Sequence, residues 1–245
     1  MPPAKPAIAV LHEDDAILVV NKPSGLSVTP DRHDAHRIHI RSELARQGYP
    51  ELMLVHRLDR DTSGALILAK HAEAHRQLNI QFSGHSVRKV YEALCVGQPL
   101  QSEMNITVAL RPDADRQHRT LVDTRAGKPS ETHLKELSRF GPYTLIQAEP
   151  KTGRTHQVRV HLWTAGAPIC GDELYGQGGP VLLSAVKKSY RPGRSGVEKP
   201  LMERLALHAA SLTCAHPISG APITFVAPHA HDFAVALKQL SRYAR

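Results

Sequence analysis

Short runs of β-branched and aliphatic residues, each too brief for a helix, recur along this chain and point to a large sheet. They fall at residues 17–20, 54–55, 65–69, 87–96, 106–110, 144–148, 205–214 and 223–226. Helical spacing is rarer. It covers 35–47 through Ile38, Ile40, Leu44 and Ala45, 71–82 through Ala74, Leu78 and Phe82, then 155–166 and 233–241. Helices scattered irregularly among strands predict an α+β fold: a large mixed, mostly antiparallel sheet with flanking helices. No internal repeat is present, which excludes a solenoid or propeller.

Composition narrows the class further. With 41% hydrophobic and 22% charged residues in 245, the chain can bury a core, and one catalytic domain over 11–245 is expected. Residues 1–10, rich in proline, read as a disordered lead-in without the layout of a signal peptide. No run nears the ~18 apolar residues of a membrane span, so a cytoplasmic protein with no membrane partner is expected. Cys95, Cys170 and Cys214 are scattered and form no C-x-x-C pair, which speaks for apolar packing and against disulfides or structural zinc. The net charge of +8 favours a polyanionic partner, while an aromatic content of 4% excludes a stacking platform for single strands. The loop 185–200 is the one break in composition. It carries Lys187, Lys188, Arg191, Arg194 and Lys199 against Glu198 alone, and reads either as a solvated loop or as a basic finger closing on RNA phosphates.

Three stretches carry candidate chemistry. In LVHRLDRDTSGALILAK (54–70), a strand would deliver Arg57 and Asp59 to one face with Leu58 on the other. That places a carboxylate beside a guanidinium on a rigid support, or a simple strand-edge salt bridge. In VRKVYEALCV (87–96), alternation groups Lys89, Tyr91, Ala93 and Cys95, and Tyr91 is either core or a stacking phenol. In GRTHQVRVHL (153–162), a helix capped by Thr155 would put His156, Arg159 and Trp163 on one face, and Val158, Leu162 and Ala165 on a core face. Arginines at a helix start oppose the dipole, so Arg154 and Arg159 should answer an anion, carboxylate or phosphate. His156 and His161 do not face one another and no third ligand is evident, so no metal site is expected. Most other histidines, including His33, His36, His39 and His118, read as solvent-facing.

At these residues the sequence resembles the RluA family of RNA pseudouridine synthases. His56-Arg57-Leu58-Asp59 with Asp61-Thr62-Ser63-Gly64 resembles the signature around that family's aspartate. Asn21-Lys22-Pro23-Ser24-Gly25, Lys89-x-Tyr91-x-Ala93, Gly153-Arg154-Thr155-His156-Gln157-x-Arg159-x-His161 and Leu207-His208-Ala209 resemble its other motifs, in order across residues 11–228. The resemblance implies the family fold with a central RNA-binding cleft and a compact member lacking a leading S4-type domain. It implies Asp59 as the carboxylate that attacks the nucleoside or starts glycosidic cleavage. Tyr91 would stack on the base and aid proton removal at C5, Arg159 would pair with Asp59, and Arg57 would fill the gap left by a flipped nucleotide. RNA contacts are expected from Lys22, Lys89, Arg154, His156, Lys187, Lys188, Arg191 and Arg194. The partner would be structured rRNA or tRNA, with no obligate protein partner, and isomerisation calls for no cofactor. The stretch 31–50 matches no motif. Two rival readings are a non-catalytic RNA-binding module of the same fold and a base-removing glycosylase.

Overall fold

The computed structural model describes residues 7–30, 38–176, 178–193 and 195–244. The elements run β1 (Ala9–Glu13), β2 (Ile17–Lys22), α1 (Ile40–Arg46), β3 (Met53–Leu54), β4 (Ser63–Ala69) and α2 (Ala72–Ser83). They continue as β5 (Arg88–Val96), β6 (Glu103–Arg111), β7 (Leu121–Val122), β8 (Lys128–Phe140), β9 (Tyr143–Pro150) and α3 (Gln157–Thr164). The last are β10 (Leu207–Ala215), β11 (Pro222–Val226) and α4 (His231–Tyr243). The class is α+β with a large, mostly antiparallel sheet, as the run pattern requires. The chain divides into two compact units, Met1–Lys89 with Ala209–Pro228, and Val90–His208 with His229–Arg245. It crosses between them inside β5, inside β10 and again at Pro228–His229 ahead of α4, so the first two crossings carry no linker that sequence could mark.

In the first unit β2 lies antiparallel between β1 and β4, with Ile17 opposite Ala69 and Lys22 opposite Gly64. The far edge of β4 takes β3 opposite its C-terminal end, while Ala209 of β10 abuts Gly64. Gly64 has a φ of +118°, and a Cβ there would overlap the Ala209 backbone, so only glycine fits. Every residue of β4 is buried, because Ile17, Val19, Ile67, Leu78, Leu212 and Phe225 form a core against α2. The edge strands β1 and β11 meet: His12 and Phe225 rings lie 5.2 Å apart, and Asp14 accepts from His12 at 2.8 Å and His216 at 3.2 Å.

The second unit is an antiparallel ladder in the order β5-β9-β8-β6-β7, with Leu94 N–H donating to Ala206 O just before β10. Leu94, Ile146, Leu162, Phe233 and Leu240, all 0% exposed, centre its core beneath α3 and α4. The basic loop is a closed excursion, pinned at its base by paired Val181 and Met202 and by Leu182 N–H on Tyr143 Oη at 2.9 Å.

Several expectations need correction. The lead-in expected over 1–10 ends earlier, since Ile8 is buried and β1 begins at Ala9; residues 1–6 lie outside the described residues. The helix expected over 35–47 forms from Ile40, with His39 capping it instead of facing solvent, and His33 and His36 lie outside the described residues. The strand expected to carry Arg57 and Asp59 is only β3, and both residues follow it in a loop. β8 escaped notice because its inward residues, Ser130 and Thr132 beside Leu134, mask the alternation.

Candidate functional site

In the first unit the Asn21–Gly25 segment cradles the turn that follows Asp59. Lys22 is fully buried, and its Nζ donates to the carbonyls of Pro23 at 3.0 Å, Leu26 at 2.8 Å and Arg60 at 2.9 Å. Gly25 N–H also reaches Arg60 O at 2.9 Å, and Ser24 Oγ donates to Asp61 O at 2.7 Å. Thr62 N–H closes the turn on Asp59 O at 3.2 Å, while Leu58 is buried. Asp59 is thus half-buried on a backbone gripped from several sides. Arg57 is exposed and has no hydrogen-bond or ion-pair partner among the described residues. Lys22 requires a correction: expected at RNA, it spends its ammonium protons on backbone carbonyls and has no exposed surface for a phosphate.

His56 supports the same loop. Its Nε2 accepts from Ile67 N–H at 3.1 Å and its ring stacks on Phe82 at 4.6 Å. Burial, reinforced by the Lys89 charge, pulls its pKa down to about 3, so it stays neutral. Lys89 is half-buried, and burial lowers its pKa too.

In the second unit Tyr91 stands half-buried on β5 opposite Ala148, packed on the core edge. The face foreseen on α3 exists, and Tyr175 organises it. His156 Nδ1 lies 2.8 Å from Tyr175 Oη, the Arg159 guanidinium carbon lies 5.0 Å from the Tyr175 ring centre, and the Trp163 ring lies 6.2 Å away. Val158, Leu162 and Ala165 form the core stripe. Thr155 does not cap the helix. His156 precedes it in the left-handed region at φ 54°, and buried Gln157 secures this end instead. The Gln157 amide accepts from Thr152 Oγ1 and Arg154 N–H and donates to Glu131 O and Thr132 Oγ1, at 2.8, 3.0, 2.8 and 2.9 Å.

Of the two arginines read as answering an anion, Arg159 is buried against the Asp172 carboxylate, with Nε and Nη2 at 2.8 and 2.7 Å. Arg154 donates to a neutral carbonyl, Pro129 O, at 3.1 Å. His161 is buried and its Nε2 meets Ser130 Oγ at 2.9 Å, away from any shared site with His156. His208 is buried with its ring 5.2 Å from His229, whose Nε2 reaches Glu92 Oε2 at 2.8 Å and lowers that carboxyl's pKa. In the basic loop, Lys188 and Arg191 are exposed, whereas Lys187 Nζ lies 4.7 Å above the Tyr243 ring. Arg194 lies outside the described residues.

Sequence reasoning passed over Asp172, Tyr175 and Gln157. Gln157 stood inside a motif already singled out, while the GDELYG run at 171–176 offered only an acid and an aromatic between glycines.

Comparison with known proteins bears on the activity. The model of the RNA pseudouridylate synthase family matches residues 16–163. An uncharacterized RNA pseudouridine synthase of Chloroflexus aurantiacus is 38% identical over 228 residues, covering 90% of this chain and 65% of that protein. The dual-specificity RNA pseudouridine synthase RluA of Salmonella typhi is 36% identical over 228 residues, covering 93% and 95%. The solved structure of human RNA Pseudouridylate Synthase Domain Containing 4 superposes with a TM-score of 0.73 at 25% identity, covering 95% of this chain and 93% of that one.

Proposed function

Because the chain belongs to the RluA family of RNA pseudouridine synthases, we propose that Asp59 is the carboxylate with which it isomerises a uridine flipped out of structured RNA. The reaction breaks the N1–C1′ bond, turns the base and joins C5 to C1′; the C5 proton leaves and N1 gains one. No electron is gained or lost, so the chemistry asks for a carboxylate, a support for the loose base and a proton acceptor. Asp59 either attacks the nucleoside or starts glycosidic cleavage. Tyr91 stacks on the base and serves proton removal at C5. Arg159 is assigned to the same reaction through its motif, and Arg57 occupies the vacated stack, offsetting an unstacking cost of a few kcal/mol.

The observation that carries this reading is the cradle around the Asp59 turn, beside an exposed guanidinium that no described residue engages. A merely structural acid would not need its backbone held from three sides. RNA phosphates are assigned to Arg154, His156, Lys89 and the exposed loop cations Lys188 and Arg191. The proposed substrate class is rRNA or tRNA, and the proposed working compartment is the cytoplasm. Among the described residues no helix is long and apolar enough to cross a membrane.

Tritium release from C5-labelled uridine in RNA tests the assignment. Asp59→Asn should abolish release while RNA binding persists, and release at the wild-type rate would remove Asp59 from its role. Mass spectrometry separates the glycosylase reading, since isomerisation leaves the nucleotide mass unchanged.

A further inference from the structure

The Asp172 carboxylate is completely buried and accepts from four donors. Arg159 Nε reaches Oδ2 at 2.8 Å, and Arg159 Nη2, Leu174 N–H and Tyr175 N–H reach Oδ1 at 2.7, 3.0 and 3.1 Å. The turn that presents it cannot drift. Gly171 sits at φ +69°, where a Cβ would overlap the backbone of Glu203 and Arg204.

The pair is side-on, so it consumes the Nε hydrogen and one Nη2 hydrogen and fixes the guanidinium by one edge. The edge formed by Nη1 and the second Nη2 hydrogen points out of the pair. Tyr175 fixes the remaining freedom. Its ring lies 5.0 Å from the guanidinium carbon, and its hydroxyl is tied down by Thr120 N–H at 2.7 Å and His156 Nδ1 at 2.8 Å. A carboxylate on one edge and an aromatic wall on the face leave the guanidinium plane one orientation.

Charge accounting adds a second consequence. Arg159 is 7% exposed, and a buried arginine requires a counter-ion. Asp172 supplies one within the same unit, so Arg159 needs no other acid to remain folded in. We propose that Asp172 and Tyr175 are positioning residues for the isomerase reaction. They seat Arg159 as a charge-compensated, pre-aimed donor whose outer edge serves the reacting centre. The inference rests on the assignment of Arg159 to that reaction.

A kinetic cycle with Asp172→Asn, Arg159→Ala and the double variant tests it, read as pseudouridine formed on C5-tritiated RNA. No product from the wild-type chain would sink the assigned activity itself, which is a separate result. With an active wild type, D172N should lower kcat about 100-fold, the scale of a slight misplacement of a reacting group. KM for RNA should stay within about threefold, because orientation and not binding is lost. In the Arg159→Ala background the same change should cost almost nothing, since Asp172 acts only through that arginine. Methylguanidinium should restore part of the activity of Arg159→Ala and none of the double variant. A residue that merely holds the fold would give additive losses and rescue indifferent to Asp172; either result, or a wild-type kcat in D172N, overturns the proposal. If D172N loses its melting transition, Asp172→Glu takes its place, keeping the charge but moving it by a methylene. A clear fall in kcat at an unchanged melting temperature supports the seat, and a wild-type kcat removes it.

Discussion

An ammonium withdrawn from water must find acceptors, and Lys22 finds them in three backbone carbonyls around the Asp59 turn. Arg57, two residues before Asp59, is exposed and unengaged. Lys22→Met should therefore lower stability by about 3 kcal/mol, the scale of stranded buried acceptors, and Arg57→Ala by less than about 0.5 kcal/mol. Denaturant midpoints read the first and tritium release the second, where Arg57→Ala should lose at least tenfold. An equal stability loss in both would refute the distinction. Half-buried His56 and fully buried His161 make a pH prediction. Burial holds His56 at about 3 and His161 at about 4, below the ordinary 6.5. Ser130 Oγ donates to Val108 O, so it accepts from His161 Nε2, and Nδ1 is left buried with no partner among the described residues. Between 6.5 and 4 the unfolded chain takes up these protons and the folded one does not, so stability falls as pH falls through that window. At pH 5.5 each histidine should cost about 1 kcal/mol relative to pH 7.5. A denaturant midpoint flat across that range would contradict it.

At the scale of elements, Asp14 joins the end of β1 to the turn between β10 and β11 through His216. Burial opposes its ionisation, but bonds from His12, Ile17 N–H, Ala16 N–H and His216 outweigh it and bring the pKa to about 2. A depressed carboxyl stabilises above its unfolded value near 3.8, and that contribution disappears as pH falls through about 2. Asp14→Asn should cost on the order of 1 kcal/mol at neutral pH, less than the shift alone implies because the site is partly wet. The gap to wild type should close as pH falls from 4 towards 2; a gap unchanged at low pH would show that charge is not its source. Elements of this kind were unevenly legible. The β2, β4, β5, β9 and β10 runs could be read because alternating or continuous apolar residues report burial directly. β1 was absorbed into the proline-rich lead-in, and β8 hid behind inward-facing Ser130 and Thr132. The proposed roles of Asp59, Tyr91 and Arg159 rest on motif order, whereas bonds to backbone leave no periodic trace. Lys22 was accordingly assigned to phosphate when it serves carbonyls, and Gln157 and Asp172 were passed over.

Across the whole molecule the charge of +8 is a statement about association, and the structure divides it into committed and available cations. Arg159 is committed to Asp172, Arg204 to Asp232, Arg119 to Asp115, and Lys22 to carbonyls. Lys187 is engaged by the Tyr243 ring, whereas Lys188 and Arg191 project from the same loop with no partner among the described residues. Cations that meet phosphates release counterions, so each should contribute about 0.7–0.9 to the slope of log affinity against log salt. Replacing Lys188 and Arg191 by glutamine should thus lower that slope by about 1.5 and raise KM for RNA most at low salt. Lys187→Gln should change the slope less and lower the melting temperature, since its ammonium is held against α4. A double variant with the wild-type salt slope would show that this loop stays off the RNA, and its basic composition would then belong to solubility alone.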